Sequence, residues 1–88
     1  MKLEFIVSFL NIQEVINLKV MKEGLDGISG IYMIKCLVTG AIYVGSAVNM
    51  YQRLNEHRLN HRSNAHLQNA IAKYGLALFE FGVLLFCD

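Results

Sequence analysis

The chain has no proline and no tryptophan, only two cysteines, and no apolar run approaching the roughly 18 residues of a membrane-spanning helix. Without proline, the ends of elements must be read from glycine, asparagine and polar clusters. Cys36 and Cys87 sit singly among apolar neighbours, which excludes a dense disulfide framework. They read as reduced core thiols of an intracellular protein, with a disulfide or metal pair as the lesser alternative. The opening MKLEFIVSFL carries a short apolar stretch, but Asn11-Ile12-Gln13 follows where a secretion signal would need small residues. At 88 residues the chain makes one small domain at most, burying about 60–65% of its unfolded surface.

Charge is scarce as well, with a net value of +1, but it is unevenly placed. Residues 49–74 hold Arg53, Arg58, Arg62 and Lys73 against Glu56, and all three histidines lie there too. Both ends are slightly acidic. A cationic middle third fits a polyanionic partner, although four cations make a modest footprint.

Phe5, Phe9, Ile12 and Ile16 form a stripe at helical spacing, which predicts a helix over residues 1–22. Gly24-Leu25-Asp26-Gly27 breaks it. Residues 1–26 are therefore read as a helical appendage and 27–88 as the domain. Ser29 to Ser46 reads as two strands rich in β-branched and aromatic residues around Thr39-Gly40. A two-residue turn would set Cys36 opposite Tyr43, whereas a six-residue loop would set Tyr32 opposite Tyr43. Either register places both tyrosines on one face, and the wider loop is preferred because it brings them closest. Asn49 with Gln52 three residues later has the spacing of a capping box and starts a helix from Met50 to about Leu59 or Asn60. Arg53 and His57, four apart, share one helix face. Asn64 caps a second helix whose Leu67, Ala70, Ile71 and Tyr74 form its apolar stripe, and Gly75 ends it. Phe79 to Cys87 is apolar on both alternating faces, as a central strand would be. The fold class is α+β: a small three-stranded antiparallel sheet with flanking helices, in the order β-β-α-α-β.

The ordered set Gly30-Ile31-Tyr32, Tyr43-Val44-Gly45-Ser46, Asn49, Arg53, His57, Leu67-Gln68-Asn69-Ala70, Lys73-Tyr74-Gly75 and Phe79-Glu80-Phe81 resembles the GIY-YIG nuclease domain. The resemblance covers residues 29–88. It implies a DNA endonuclease core that hydrolyses phosphodiester bonds with a divalent metal, magnesium, akin to intron-encoded homing endonucleases. It also implies roles for particular residues. Tyr32 is the general base or water-orienting group, and Tyr43 lies beside it. Arg53 neutralises phosphate, and His57 assists.

The chemistry suits those residue types. Attack on a phosphodiester needs an oriented water, relief of charge on the phosphate oxygens, and stabilisation of the leaving oxygen. A guanidinium offers planar paired donors that lysine cannot copy. A phenol is a weak base alone, with an ordinary pKa near 10, and a neighbouring cation favours its ionised form. Each residue also has a plainer reading: Arg53 as a solvated helix arginine, the tyrosines as strand filling, His57 as a surface histidine. Gly30 and Gly45 would let a phosphate approach the backbone, or simply end strands. Arg58, Arg62 and Lys73 would contact DNA phosphates, with no base readout implied.

A rival zinc reading rests on His57 and His61 at i, i+4, with His66 and the cysteines. No Cys-x-x-Cys pair supports it, and Glu56-His57 reverses the order of the His-Glu-x-x-His signature. In the family, the metal-binding glutamate lies on a helix after the third strand, and no acid here holds the equivalent place. The expectation is thus a C-terminally truncated nuclease core, weak or inactive as it stands. Its alternative is a non-catalytic remnant that binds DNA weakly through its basic helices. The expected setting is intracellular, with an organellar, mitochondrial origin by analogy.

Overall fold

The computed structural model describes residues 7–87. Strand β1 (Val7–Leu10) and helix α1 (Val15–Leu25) precede strands β2 (Ser29–Cys36) and β3 (Ile42–Ala47). Helices α2 (Met50–Arg58) and α3 (Ala65–Tyr74) follow, then a single 3-10 turn (Leu76–Leu78) and strand β4 (Phe79–Cys87). The sheet is antiparallel, in the order β1-β4-β2-β3. Among the described residues no helix is long and apolar enough to cross a membrane.

The sheet therefore has four strands, not three. Residues 7–10 are a strand where the Phe9–Ile12 spacing predicts a helix, and helix begins only at Val15. The reason is tertiary: an antiparallel partner for β4, with Phe9 opposite Phe81, outweighs a weak helical period. Phe5 lies outside the described residues, as does the rest of 1–6. The expectation of a central last strand is met, because β4 is flanked by β1 and β2.

The β2–β3 register is intermediate between the two expected ones. Ile34 faces Tyr43 and Tyr32 faces Gly45. A four-residue loop, 37–40, closes the hairpin, with the Gly40 N–H on the Cys36 carbonyl at 2.8 Å and Gly40 at φ 78°. Tyr32 and Tyr43 still share a face, since the shift from either expected register is even.

That shared face carries the core. Tyr32, Ile34 and Cys36 from β2 and Phe79, Phe81 and Val83 from β4 pack against Met50, Leu54 and Leu67 of the helices and Met21 and Leu25 of α1. Cys36 is buried as expected, whereas Cys87 is exposed, and both are free thiols. A register shift between Ile31 and Tyr32 makes Leu84 the extra residue of β4, so Leu85 turns onto the other face and is half exposed. Both expected caps form: Asn49 accepts from the Gln52 N–H at 3.1 Å and Asn64 from the Leu67 N–H at 3.2 Å. Asn49 also donates to Asp26 at 3.0 Å, which ties the start of α2 to the end of α1.

Met21 and Ile12 are both fully buried. If residues 12–25 belong to the same cooperative unit as the sheet, Met21→Ala lowers unfolding stability by about 2–5 kcal/mol. Urea titration should show one transition, with a lowered midpoint and an unchanged slope.

Candidate active site

One cleft gathers residues from three elements: Tyr32 of β2, Tyr43 and Gly45 of β3, and Arg53 and His57 of α2. Its volume is about 220 Å³. That is below the roughly 300–1,000 Å³ of sites for drug-sized ligands and matches a phosphate group better than a whole nucleotide.

Tyr32 is the most constrained of these. Its ring stacks on Phe81, centroids 5.4 Å apart and planes 15° from parallel, and only 4% of the residue is exposed. From there its hydroxyl reaches His57 Nε2 at 2.8 Å. The path runs across Gly45: a Cβ on that residue would stand 2.5 Å from the phenol oxygen. The absence of a side chain at Gly45 of β3 thus makes room for the Tyr32 phenol of β2.

His57 stands one helical turn beyond Arg53 and is also nearly inaccessible. Its Nδ1 lies 2.7 Å from Ser63 Oγ, so both ring nitrogens are engaged. Burial pushes its pKa down to about 4, helped by the Arg53 charge and opposed by Glu56. The ring is neutral at pH 7. It sits behind the phenol rather than forming a free phosphate ligand.

Arg53 is anchored through Nη1. Nη1 donates to Glu56 Oε1 at 3.1 Å and to the Arg62 carbonyl at 2.8 Å. Burial pulls its pKa down, but the Tyr32 phenol and the Glu56 carboxylate outweigh that and raise it above the ordinary value. The fork is therefore permanently charged, and it lies within hydrogen-bonding reach of the Tyr32 phenol as well as of Glu56. Arg62 presents its carbonyl from a left-handed conformation, φ 55°, which is unusual for a long side chain.

The other expected contacts lie elsewhere. Gly30 is buried, where a side chain would collide with the Leu85 carbonyl and the Met50 thioether, so it serves packing and not phosphate approach. Arg58 is half-buried and donates to Asn55 Oδ1 at 2.7 Å. Arg62 works through its backbone, and its side chain is exposed. Lys73 is exposed on α3, 5.3 Å from the centroid of Tyr74. Three participants escaped the sequence reading: Glu56 as a partner of Arg53, and Ser63 and Gln68 behind His57. Gln68 belongs to the Leu67–Ala70 stretch that carries the resemblance, but its spacing names no partner. Ser63 has no local signal.

These side chains line one cleft on the core face of an α+β sheet. A family model described as the GIY-YIG catalytic domain matches residues 28–84. The chain belongs to the GIY-YIG catalytic domain family. Over 52 residues, 59% of the chain, it is 50% identical to a protein of Neurospora crassa named probable intron-encoded endonuclease 1, and the match covers 17% of that protein. It is also similar to the solved catalytic domain of intron endonuclease I-TevI, a glutamate-to-alanine mutant. The TM-score is 0.58 and the identity 31%, over 69% of this chain and 66% of that one. The chain thus spans about a sixth of the curated relative.

The buried neutral histidine has a thermodynamic consequence. Below the unfolded pKa near 6.5 the unfolded chain takes a proton that the folded chain refuses until about pH 4. Stability is highest above pH 6.5 and falls as the pH drops towards 4, with up to roughly 3 kcal/mol from this residue. Urea midpoints measured from pH 7 to pH 4 should show that decline, and His57→Gln should flatten it.

Proposed function

We propose that this chain is the catalytic core of a DNA endonuclease that hydrolyses phosphodiester bonds at the Tyr32–Tyr43–Arg53 cleft. The observation that carries the proposal is the convergence of two phenols and an anchored guanidinium on one small cleft, backed by a buried histidine. Family membership and the intron-encoded endonuclease named above support DNA as the substrate.

The roles follow from the geometry. Arg53 receives the phosphate: one nitrogen is tied down, and the remainder of the fork can meet the non-bridging oxygens, where charge grows in the transition state. Tyr32 is locked by the Phe81 stack and the His57 hydrogen bond, so its oxygen orients the attacking water with little motion to lose. Tyr43, on the same sheet face, also lines the cleft and narrows the positions that water can take. The exposed Arg62 and Lys73 side chains are available to backbone phosphates and would add affinity without sequence preference.

Magnesium is part of this reading through the family. Among the described residues no three His, Cys, Asp or Glu side chains cluster to hold a metal ion. Glu56, the carboxylate beside the cleft, is committed to Arg53. The described residues do not fit a metal site by themselves, and the roles above belong to the chain's own side chains. An intracellular, organellar setting is proposed on the strength of the intron-encoded relative alone.

Supercoiled plasmid with the 88-residue chain and magnesium tests the proposal. Nicking should fall about 10²–10³-fold in Arg53→Ala and in Tyr32→Phe. Equal cutting by wild type and Arg53→Ala removes Arg53 from the mechanism. Plasmid retained by the chain but never cut turns the reading to a non-catalytic DNA-binding domain.

A further inference from the structure

Behind the cleft the His57–Tyr32 contact continues into a longer hydrogen-bonded chain. Gln68 Nε2 is 2.7 Å from the His57 backbone carbonyl and 2.7 Å from Ser63 Oγ. Ser63 Oγ is 2.7 Å from His57 Nδ1, and His57 Nε2 is 2.8 Å from the Tyr32 hydroxyl. Building on the functional reading just given, we propose that Ser63 and Gln68 are positioning residues. They hold His57 as the Nε2–H tautomer, so that the imidazole donates to the Tyr32 oxygen and turns the phenol hydrogen into the cleft.

The direction follows from counting hydrogens. A backbone carbonyl only accepts, so the Gln68 atom facing it is the nitrogen, and the second amide hydrogen goes to Ser63 Oγ. Ser63 then has one hydrogen to give. Given to His57 Nδ1, it makes that nitrogen the acceptor, and a neutral imidazole must carry its proton on Nε2. Every polar hydrogen from Gln68 to His57 then has an acceptor, in one head-to-tail sequence in which each bond polarises the next. In the reverse arrangement Ser63 accepts from both Gln68 and Nδ1–H, and its own hydrogen is left with no side-chain or backbone acceptor in this chain of contacts.

The consequence is specific. In the reverse tautomer His57 Nε2 would accept a hydrogen bond from the phenol O–H, and Tyr32 would present only lone pairs to the cleft. In the proposed tautomer the phenol oxygen receives a hydrogen bond from His57 and presents O–H to whatever lies above it, a water or a phosphate oxygen. The low basicity that burial and Arg53 give His57 agrees with a donor that takes no proton at neutral pH. The loop makes this possible. Asn60 and Arg62 adopt left-handed conformations, φ 56° and 55°, and the bend returns Ser63 to the histidine six residues earlier.

The tautomer can be read directly by long-range proton–nitrogen NMR of the 15N-labelled 88-residue chain at pH 7, with no DNA present. The expected spectrum shows His57 with a protonated-type Nε2 and an unprotonated-type Nδ1. Ser63→Ala should shift the ratio of tautomers by about tenfold towards Nδ1–H, while Ser63→Thr, which keeps the hydroxyl, should leave it unchanged. Gln68→Glu replaces the amide donor with an acceptor; it should draw the Ser63 hydrogen away and reverse the tautomer. A wild-type His57 protonated on Nδ1 overturns the proposal, and so does an unchanged ratio in both Ser63→Ala and Gln68→Glu. Because the readout needs no turnover, a chain that never nicks DNA would fail the functional proposal and leave this one standing or falling on the spectrum.

Discussion

The contact between the Tyr32 hydroxyl and His57 Nε2, 2.8 Å long and nearly closed to solvent, is the interaction on which the site is built. It joins the middle of the sheet to α2, so the strand cannot slide without breaking it. It also dictates what surrounds it. Phe81 must lie flat under the phenol ring, and Gly45 must have no side chain. The register that sets Tyr32 opposite Gly45 is thus the one that leaves the phenol a path to the helix. A one-residue slip would send Tyr32 to the opposite face and empty the cleft of its oxygen.

The remaining elements serve to keep those two partners in place. α2 is fixed at its first turn by Asn49, which caps the helix and reaches Asp26, while the Met50 N–H donates to the Ile28 carbonyl at 2.8 Å. Arg53 and His57 follow one and two turns later, and their heights over the sheet are set by that anchor. The bulge at Leu84 lets β4 keep Phe79, Phe81 and Val83 beneath the site and then turn Leu85 outward. The side chains that fill the core are therefore also the ones that aim the phenol.

Much of this was legible because the relevant signals are local. Two asparagine caps, a terminal glycine and the four-residue spacing of Arg53 and His57 are short-range patterns, and each formed as read. The shared face of Tyr32 and Tyr43 was legible for the same reason, since period-two alternation survives any even register error. The register itself was not, because Cys36-to-Ala41 closure depends on the fit of Gly45 under a ring from another strand. Residues 7–10 were misread because their helical stripe is weak and the open edge of β4, more than 70 residues later, decides their fate. The packing of Gly30 against the Leu85 carbonyl and the bond from Arg58 to Asn55 had no signal in the sequence. Glu56, Ser63 and Gln68 stayed hidden because their roles are defined by partners brought together only by the loop that follows α2.

The electrostatics of the cleft follow from keeping exactly one cation at its heart. Were His57 also charged, it would stand beside a guanidinium in a buried setting, and like charges there repel strongly. Burial settles the matter by holding the imidazole neutral, which lets it donate a hydrogen bond without adding charge. Glu56 offsets part of the Arg53 charge and, with the Arg62 carbonyl, restrains Nη1, so the guanidinium is ordered before any phosphate arrives. A phosphate entering this cleft would meet the anchored guanidinium and the fixed phenol together. That order is bought with a left-handed Arg62 and a glycine in mid-strand, two departures from local preference that would make little sense in a domain built only to stay folded.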